Sequence, residues 1–172
     1  MNYFELFEIP VSLNVDRTSL AKRYFELQKK YHPDFHTQAS NEEQSEVLET
    51  SSATNKAFRI FQNEDATIKY VLQLKGLLQE EEKFNLPTDF LGEMMEINEQ
   101  LIEAKMKEDA EELKNIQLSI DNCQSSIYAP VKEIIENYKD GITTEKELLQ
   151  VKEYYFKKKY LLRVLEQLNG MP

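Results

Sequence analysis

The residues best suited to chemistry fall between positions 16 and 36. Lys22 and Lys29 are seven residues apart, as are Arg23 and Lys30, so on a helix these four cations share a side. His32-Pro33-Asp34 follows at once. Pro33 fixes a turn, and Asp34 would then present a carboxylate at a loop tip, where it can form a charge-assisted pair with a partner's arginine. His32 alone would read as an ordinary loop histidine. His32, Asp34 and His36 are also metal-ligand types. They sit on a proline-restricted turn with no second cluster after it, which speaks against the ligand-rich sites that metals need. There is no nucleophile with a paired base, no glycine-rich phosphate loop and no metal-ligand spacing. The residues therefore point to an adaptor that binds, with no catalytic site, metal or cofactor of its own. A small metal-dependent enzyme is the rival from another class.

The elements that must position this segment are helical, because period-two alternation rarely persists while helical spacing does. A short helix is expected over Tyr3 to Glu8, stopping before Pro10. Asp16 can cap the next, with Val15 stapled onto Leu20. Leu20, Tyr24, Leu27 and Tyr31 make its apolar stripe, and Pro33 ends it. The third helix opens at Ser40 with Glu43 completing a capping box, and carries Val47, Leu48, Ala57, Phe58 and Phe61. A fourth, from about Asp65 to Leu74, brings Ile68, Tyr70, Val71 and Leu74, and Gly76 can close it.

Charged residues from Gln79 to Lys83 read as a linker ending at Pro87. Three further helical stretches follow. The first runs from about Thr88 to Lys107. The second runs from about Asp109 to Tyr138, with a bend or break near Ser126 to Pro130 because interior proline costs about 3 kcal/mol. The third starts at a Thr144–Glu147 capping box and ends near Leu168, after a turn at Asp140-Gly141. Each is amphipathic, so a three-helix bundle is the expected packing. Cys123 falls among apolar helical positions and reads as core.

Phe90, Met94, Ile97, Leu101 and Ala104 form one apolar row on the helix from Thr88. Leu91, Met95 and Ile102 form a second beside it, flanked by Glu96, Glu99 and Glu103. One row suffices for packing. The second is either a broadened core stripe or an exposed binding patch.

The chain has 172 residues, 41% hydrophobic and 30% charged, and a net charge of −10. That balance argues against nucleic acid, whose phosphates require a basic surface. Residues 1–75 carry a net of −2 and residues 76–172 a net of −8, which suits two surfaces meeting different partners. No apolar run is long enough to span a membrane, and the first residues lack the features of a signal or transit peptide. One cysteine leaves no internal disulfide. A cytoplasmic location is expected.

Tyr24, Tyr31-His32-Pro33-Asp34 and Asn55-Lys56-Ala57-Phe58 stand where the J-domain family has them, and the sequence resembles that family. More narrowly, it is similar to the HscB/Jac branch that serves iron–sulfur cluster assembly. Met1 to Phe7, Tyr70 to Gly76 and Phe90 to Glu96 carry this likeness, which covers nearly the whole chain. There is no glycine/phenylalanine-rich linker and no cysteine-rich zinc module, so general-purpose J-proteins fit poorly. The resemblance implies an all-α chain with a J-domain at 1–75, a linker at 76–86 and a C-terminal three-helix scaffold-binding domain at 87–172.

It also implies a co-chaperone that stimulates the ATPase of a 70-kDa heat-shock chaperone (HscA-like) and delivers an iron–sulfur scaffold protein (IscU-like) to it. His32, Pro33, Asp34, Lys22, Arg23, Lys29 and Lys30 would contact the chaperone. Leu91, Met95, Glu96, Glu99, Glu103 and Tyr155, with Phe156 the alternative to Tyr155, would contact the scaffold. Two positions depart from the branch. Phe35 stands where a basic residue often follows His-Pro-Asp, and Gly92 where a larger apolar residue is common. A J-type co-chaperone for another client is the runner-up.

Overall fold

The computed structural model describes residues 1–170, and every regular element among them is helical. The chain divides into two compact units. One takes in Met1–Gly76 with Ile135–Thr143, the other Leu77–Ile134 with the segment from Thr144 onward.

In the first unit, α1 spans Tyr3–Phe7, α2 Arg17–Tyr31, α3 Asn41–Gln62 and α4 Glu64–Leu74. A capping box between Asn2 and Glu5 starts α1. Asp16 accepts the Ser19 amide at 2.8 Å to start α2, with Val15 and Leu20 both buried at that corner. The Ser40 hydroxyl accepts the Glu43 amide at the head of α3. Each cap satisfies an amide that the first turn leaves without an intrahelical partner.

Phe4 and Phe7 seat their rings against Phe61, and Tyr70 packs on Tyr3 and Phe4. Leu13, Leu20, Ile68, Val71 and Leu72 complete this core. On α4 the inward triad is Ile68, Val71 and Leu72, spaced i, i+3, i+4. Leu74, expected on that face, turns outward, and on α3 Leu48 is likewise exposed. Both lie about a quarter turn off their helix's buried row.

Tyr24 stacks on Phe58 with ring centroids 3.9 Å apart and donates its hydroxyl to Asn55 Oδ1 at 2.9 Å. Gln28 Nε2 donates to the same oxygen at 2.7 Å. One side-chain carbonyl thus ties α2 to α3. Asn55→Ala leaves both donors without that acceptor and should lower unfolding stability by about 1–3 kcal/mol, read by thermal or urea unfolding.

Lys75 pairs with Asp140, and Tyr138 donates to the same carboxylate at 2.9 Å. These two groups, Lys75 first, hold the Asp140 carboxyl below the usual range.

The second unit is a bundle of α5 (Thr88–Met106), α6 (Ala110–Tyr128) and α8 (Glu145–Gly170). Phe90, Met94, Ile97, Leu101 and Ala104 from α5 meet Ile116, Ile120 and Cys123 from α6 and Leu161 and Val164 from α8. Pro130 stops α6. A 3-10 turn at Ala129–Val131 leads into the short α7 (Lys132–Glu136), because proline supplies no amide for the continuing ladder. Thr144 and Glu147 exchange cap hydrogen bonds at the head of α8, after a turn in which Gly141 takes φ +79°.

The segment read as a charged linker is held down over much of its length. Leu78 is buried, Glu82 pairs with Lys152 at 2.6 Å, and Phe84 stacks parallel on Phe156 at 4.7 Å. Of its charged residues, Glu82 is drawn into an ion pair with α8, while Glu80, Glu81 and Lys83 stay exposed. The two last residues of the expected 87–172 domain lie outside the described residues.

Candidate functional site

Two surfaces gather the candidate residues, one on each unit. On the first, α2 ends at Tyr31 and His32 turns extended, at φ −69° and ψ 129°. Pro33 opens a 3-10 turn over Pro33–Phe35. His32 Nδ1 accepts the Asp34 amide at 3.2 Å, so the imidazole caps this turn. His36 Nε2 lies 2.8 Å from the Lys30 carbonyl. A carbonyl only accepts, so that nitrogen carries the proton and satisfies one of the open carbonyls at the end of α2.

With its amide engaged, Asp34 keeps its carboxylate outward, 85% exposed. His32 Nδ1, which accepts that amide through its lone pair, lies 3.6 Å from the carboxylate, beyond a hydrogen bond. The turn therefore fixes the backbone of Asp34 while leaving both carboxylate oxygens to water or a partner.

The cations behave unequally. Lys22, Lys29 and Lys30 are exposed. Arg23 is engaged by its own chain, with Glu26 at 2.8 Å and with Glu8. Lys30 Nζ lies 5.2 Å from the Tyr31 ring centroid. Lys29 Nζ lies at the same distance from the Phe25 ring, and Phe25 is itself 63% exposed. Phe25 escaped the motif reading. Its spacing carried the signal, since it lies three residues after Lys22 and four before Lys29, on the cationic side. Phe35 is also exposed, with its ring edge-on to His32 at 5.8 Å.

On the second unit, the two rows of α5 separate. Phe90, Met94, Ile97, Leu101 and Ala104 are buried, while Met95 is 60% and Ile102 61% exposed and Leu91 is half-buried. Glu96, Glu99 and Glu103 are exposed beside them. Glu103 pairs with Lys107 at 2.6 Å, which holds its carboxyl below the usual range. A Cβ at Gly92 would meet nothing within 4 Å, so this position leaves an open notch in the face.

Leu91 also lines a groove of about 360 Å³ whose opposite wall is Phe156, Lys159, Tyr160 and Arg163 of α8. Tyr155 is not in that wall. It is half-buried, with its ring edge-on to Phe156 at 5.2 Å. Lys152, Phe156, Lys159, Tyr160 and Arg163 follow the i, i+4, i+7, i+8, i+11 spacing of one helix face, and Tyr155, about 100° round from Phe156, lies at the edge of that face beside Lys152 and Lys159. The structure thus brings Phe156, the alternative, together with Leu91.

Cys123 is buried, and burial first and Glu93 second push its thiol up to about 11, which keeps it protonated at neutral pH. Among the described residues no three His, Cys, Asp or Glu side chains are grouped to hold a metal, and no helix is long and apolar enough to cross a membrane.

Residues 86–169 match the family model described as the HSCB C-terminal oligomerisation domain. A protein named co-chaperone protein HscB homolog, from Shewanella halifaxensis, is 35% identical over 154 residues, which is 89% of this chain and 80% of that one. A homolog of the same name from Acinetobacter baumannii is 31% identical over 169 residues, covering 98% and 89%. Among solved structures, human co-chaperone protein HscB superposes with a TM-score of 0.78 at 28% identity, covering 98% of this chain and 80% of that one. The chaperone HscB from Vibrio cholerae shares the fold, with a TM-score of 0.73 at 24% identity and coverage of 98% and 95%.

Proposed function

The chain belongs to the HscB family of co-chaperones, and from that premise we propose that it stimulates the ATPase of an HscA-like 70-kDa chaperone and delivers an IscU-like iron–sulfur scaffold protein to it. Residues 1–75 would carry the chaperone contact and residues 87–172 the scaffold contact, in the cytoplasm. The observation that carries the reading is the Asp34 carboxylate, held outward on a turn whose own hydrogen bonds it does not use. The ATP would be hydrolysed by the chaperone. This chain would supply a rigid anion and a cationic face that dock on it.

Of the four cations read as the docking face, Lys22, Lys29 and Lys30 are left for such docking, with Phe25 among them as an apolar contact. Arg23 would shape that face through its pairs with Glu8 and Glu26. On α5, Leu91, Met95, Glu96, Glu99 and Glu103 would meet the scaffold, joined by Phe156 across the groove.

The deciding experiment is chaperone ATP turnover with this protein added, with and without the scaffold. Stimulation that rises further with scaffold supports the reading, and no stimulation in either arm rejects it. The cationic face adds a second expectation. Exposed charges are screened over about 8–10 Å at physiological ionic strength, so the apparent affinity for the chaperone should fall as salt rises. An affinity that stays flat across a salt series would show that Lys22, Lys29 and Lys30 do not steer the contact.

A further inference from the structure

We propose that the groove between α5, α8 and residues 82–86 receives an acidic side chain of the scaffold, together with an apolar residue beside it. This extends the proposed scaffold face and rests on that reading. The groove is continuous with the face, since Leu91 of α5 belongs to both.

Its shape is set before any partner arrives. Phe84 lies flat on Phe156 at 4.7 Å with 1° between ring planes, and Glu82 is clamped to Lys152 at 2.6 Å. Lys152 also stands 5.7 Å from the Phe84 ring centroid, so one cation braces both ends of the strap. A preformed wall of this kind lowers the ordering cost of binding.

The groove's chemistry is divided. Phe84, Leu91 and Phe156 give it an apolar floor, and Lys159 and Arg163 stand one helical turn apart along its rim. Both are exposed, and among the described residues neither pairs with a carboxylate. That is notable in a chain of net charge −10, and on a face where Glu96, Glu99 and Glu103 stand on the facing helix. The one acidic residue lining the groove, Glu82, is already neutralised by Lys152, which leaves the rim cationic. An occupant that matches this lining has an apolar side chain for the floor and a carboxylate for the two cations. The scaffold face would then be bipolar, acidic along α5 and basic along α8, and that polarity would fix the direction in which the scaffold lies.

The test is a calorimetric titration of the purified cognate scaffold into the full chain and three variants. Lys159→Glu with Arg163→Glu should weaken binding about tenfold, because it removes two attractive pairs and sets like charges against the ligand. Lys159→Gln with Arg163→Gln should weaken it about threefold and flatten its salt dependence. This neutral variant carries the test if the reversed one melts lower than wild type. Leu91→Ala with Met95→Ala is the reference for the face itself. If both charge variants bind like wild type while the reference variant loses affinity, the groove inference is overturned and the scaffold reading stands. If the reference variant also binds like wild type, the scaffold reading falls and the groove with it.

Discussion

Asp34→Asn should abolish stimulation of the chaperone's ATPase while leaving the protein folded. The backbone of Asp34 is held by its amide, which donates to His32 Nδ1, and by the proline before it. The carboxylate takes no part in that hold and is 85% exposed. Asparagine keeps the shape and removes only the charge, so no cavity opens and no buried partner is stranded. Exposed substitutions of this kind usually change stability by less than about 0.5 kcal/mol.

The loss falls on the complex. A carboxylate that meets a buried arginine of the chaperone makes a charge-assisted pair, and breaking such a pair at an interface costs about 2–5 kcal/mol. That corresponds to a loss of roughly 30- to several-thousand-fold. Single-turnover ATP hydrolysis against co-chaperone concentration reads the effect, with thermal melting and scaffold binding as controls. Stimulation equal to wild type would remove Asp34 from the mechanism. The contrast with His32 is informative. Its imidazole caps the turn, so a His32→Gln variant should disturb the placement of Asp34 as well as any direct contact.

What the sequence made legible follows from how local each signal was. The caps at Asp16, Ser40 and Thr144 depend on three or four consecutive residues, and the helices start at them. Pro33 and Pro130 act on their own helix by losing an amide and by steric clash, so their breaks could be placed from the letters alone. The two rows of α5 were legible as rows, but not as inside and outside, because periodicity gives a face without saying what covers it. The core formed by α6 and α8 decides that Met94 goes in and Met95 stays out.

Long-range pairings were not legible. Glu82 looks like one more acid in a charged run until Lys152, seventy residues on, is set against it. Arg23 looks like its neighbouring lysines until Glu8 and Glu26 are seen to hold it. That Phe156 and not Tyr155 lines the groove follows from the rotation of α8 about its own axis. One residue is 100° of turn, and that angle is fixed by the burial of Val151, Tyr154, Leu161 and Val164 on the opposite side. Leu74 and Leu72 differ in the same way on α4.

Leu91→Ala with Met95→Ala should weaken scaffold binding by more than about 2 kcal/mol, close to thirtyfold or beyond, and change melting little. The two side chains sit one turn apart on α5, with Glu96, Glu99 and Glu103 around them. Met95 is 60% exposed, so it contributes little packing to the folded chain. Leu91 is half-buried in the groove wall, so its truncation should account for most of whatever stability is lost. A buried leucine or methionine would cost about 2–5 kcal/mol on truncation, and Met94, fully enclosed by the bundle, is the matched control. Met94→Ala should therefore lower the melting temperature sharply, whereas the double surface variant should not. In the complex the order reverses, because exposed flexible apolar side chains beside charged ones are the contacts that a partner desolvates. Scaffold titration and thermal melting on the same three proteins separate the possibilities. A steep melting loss in the surface variant would return Leu91 and Met95 to the core. Unchanged melting with unchanged scaffold affinity would move the scaffold to another face of the bundle.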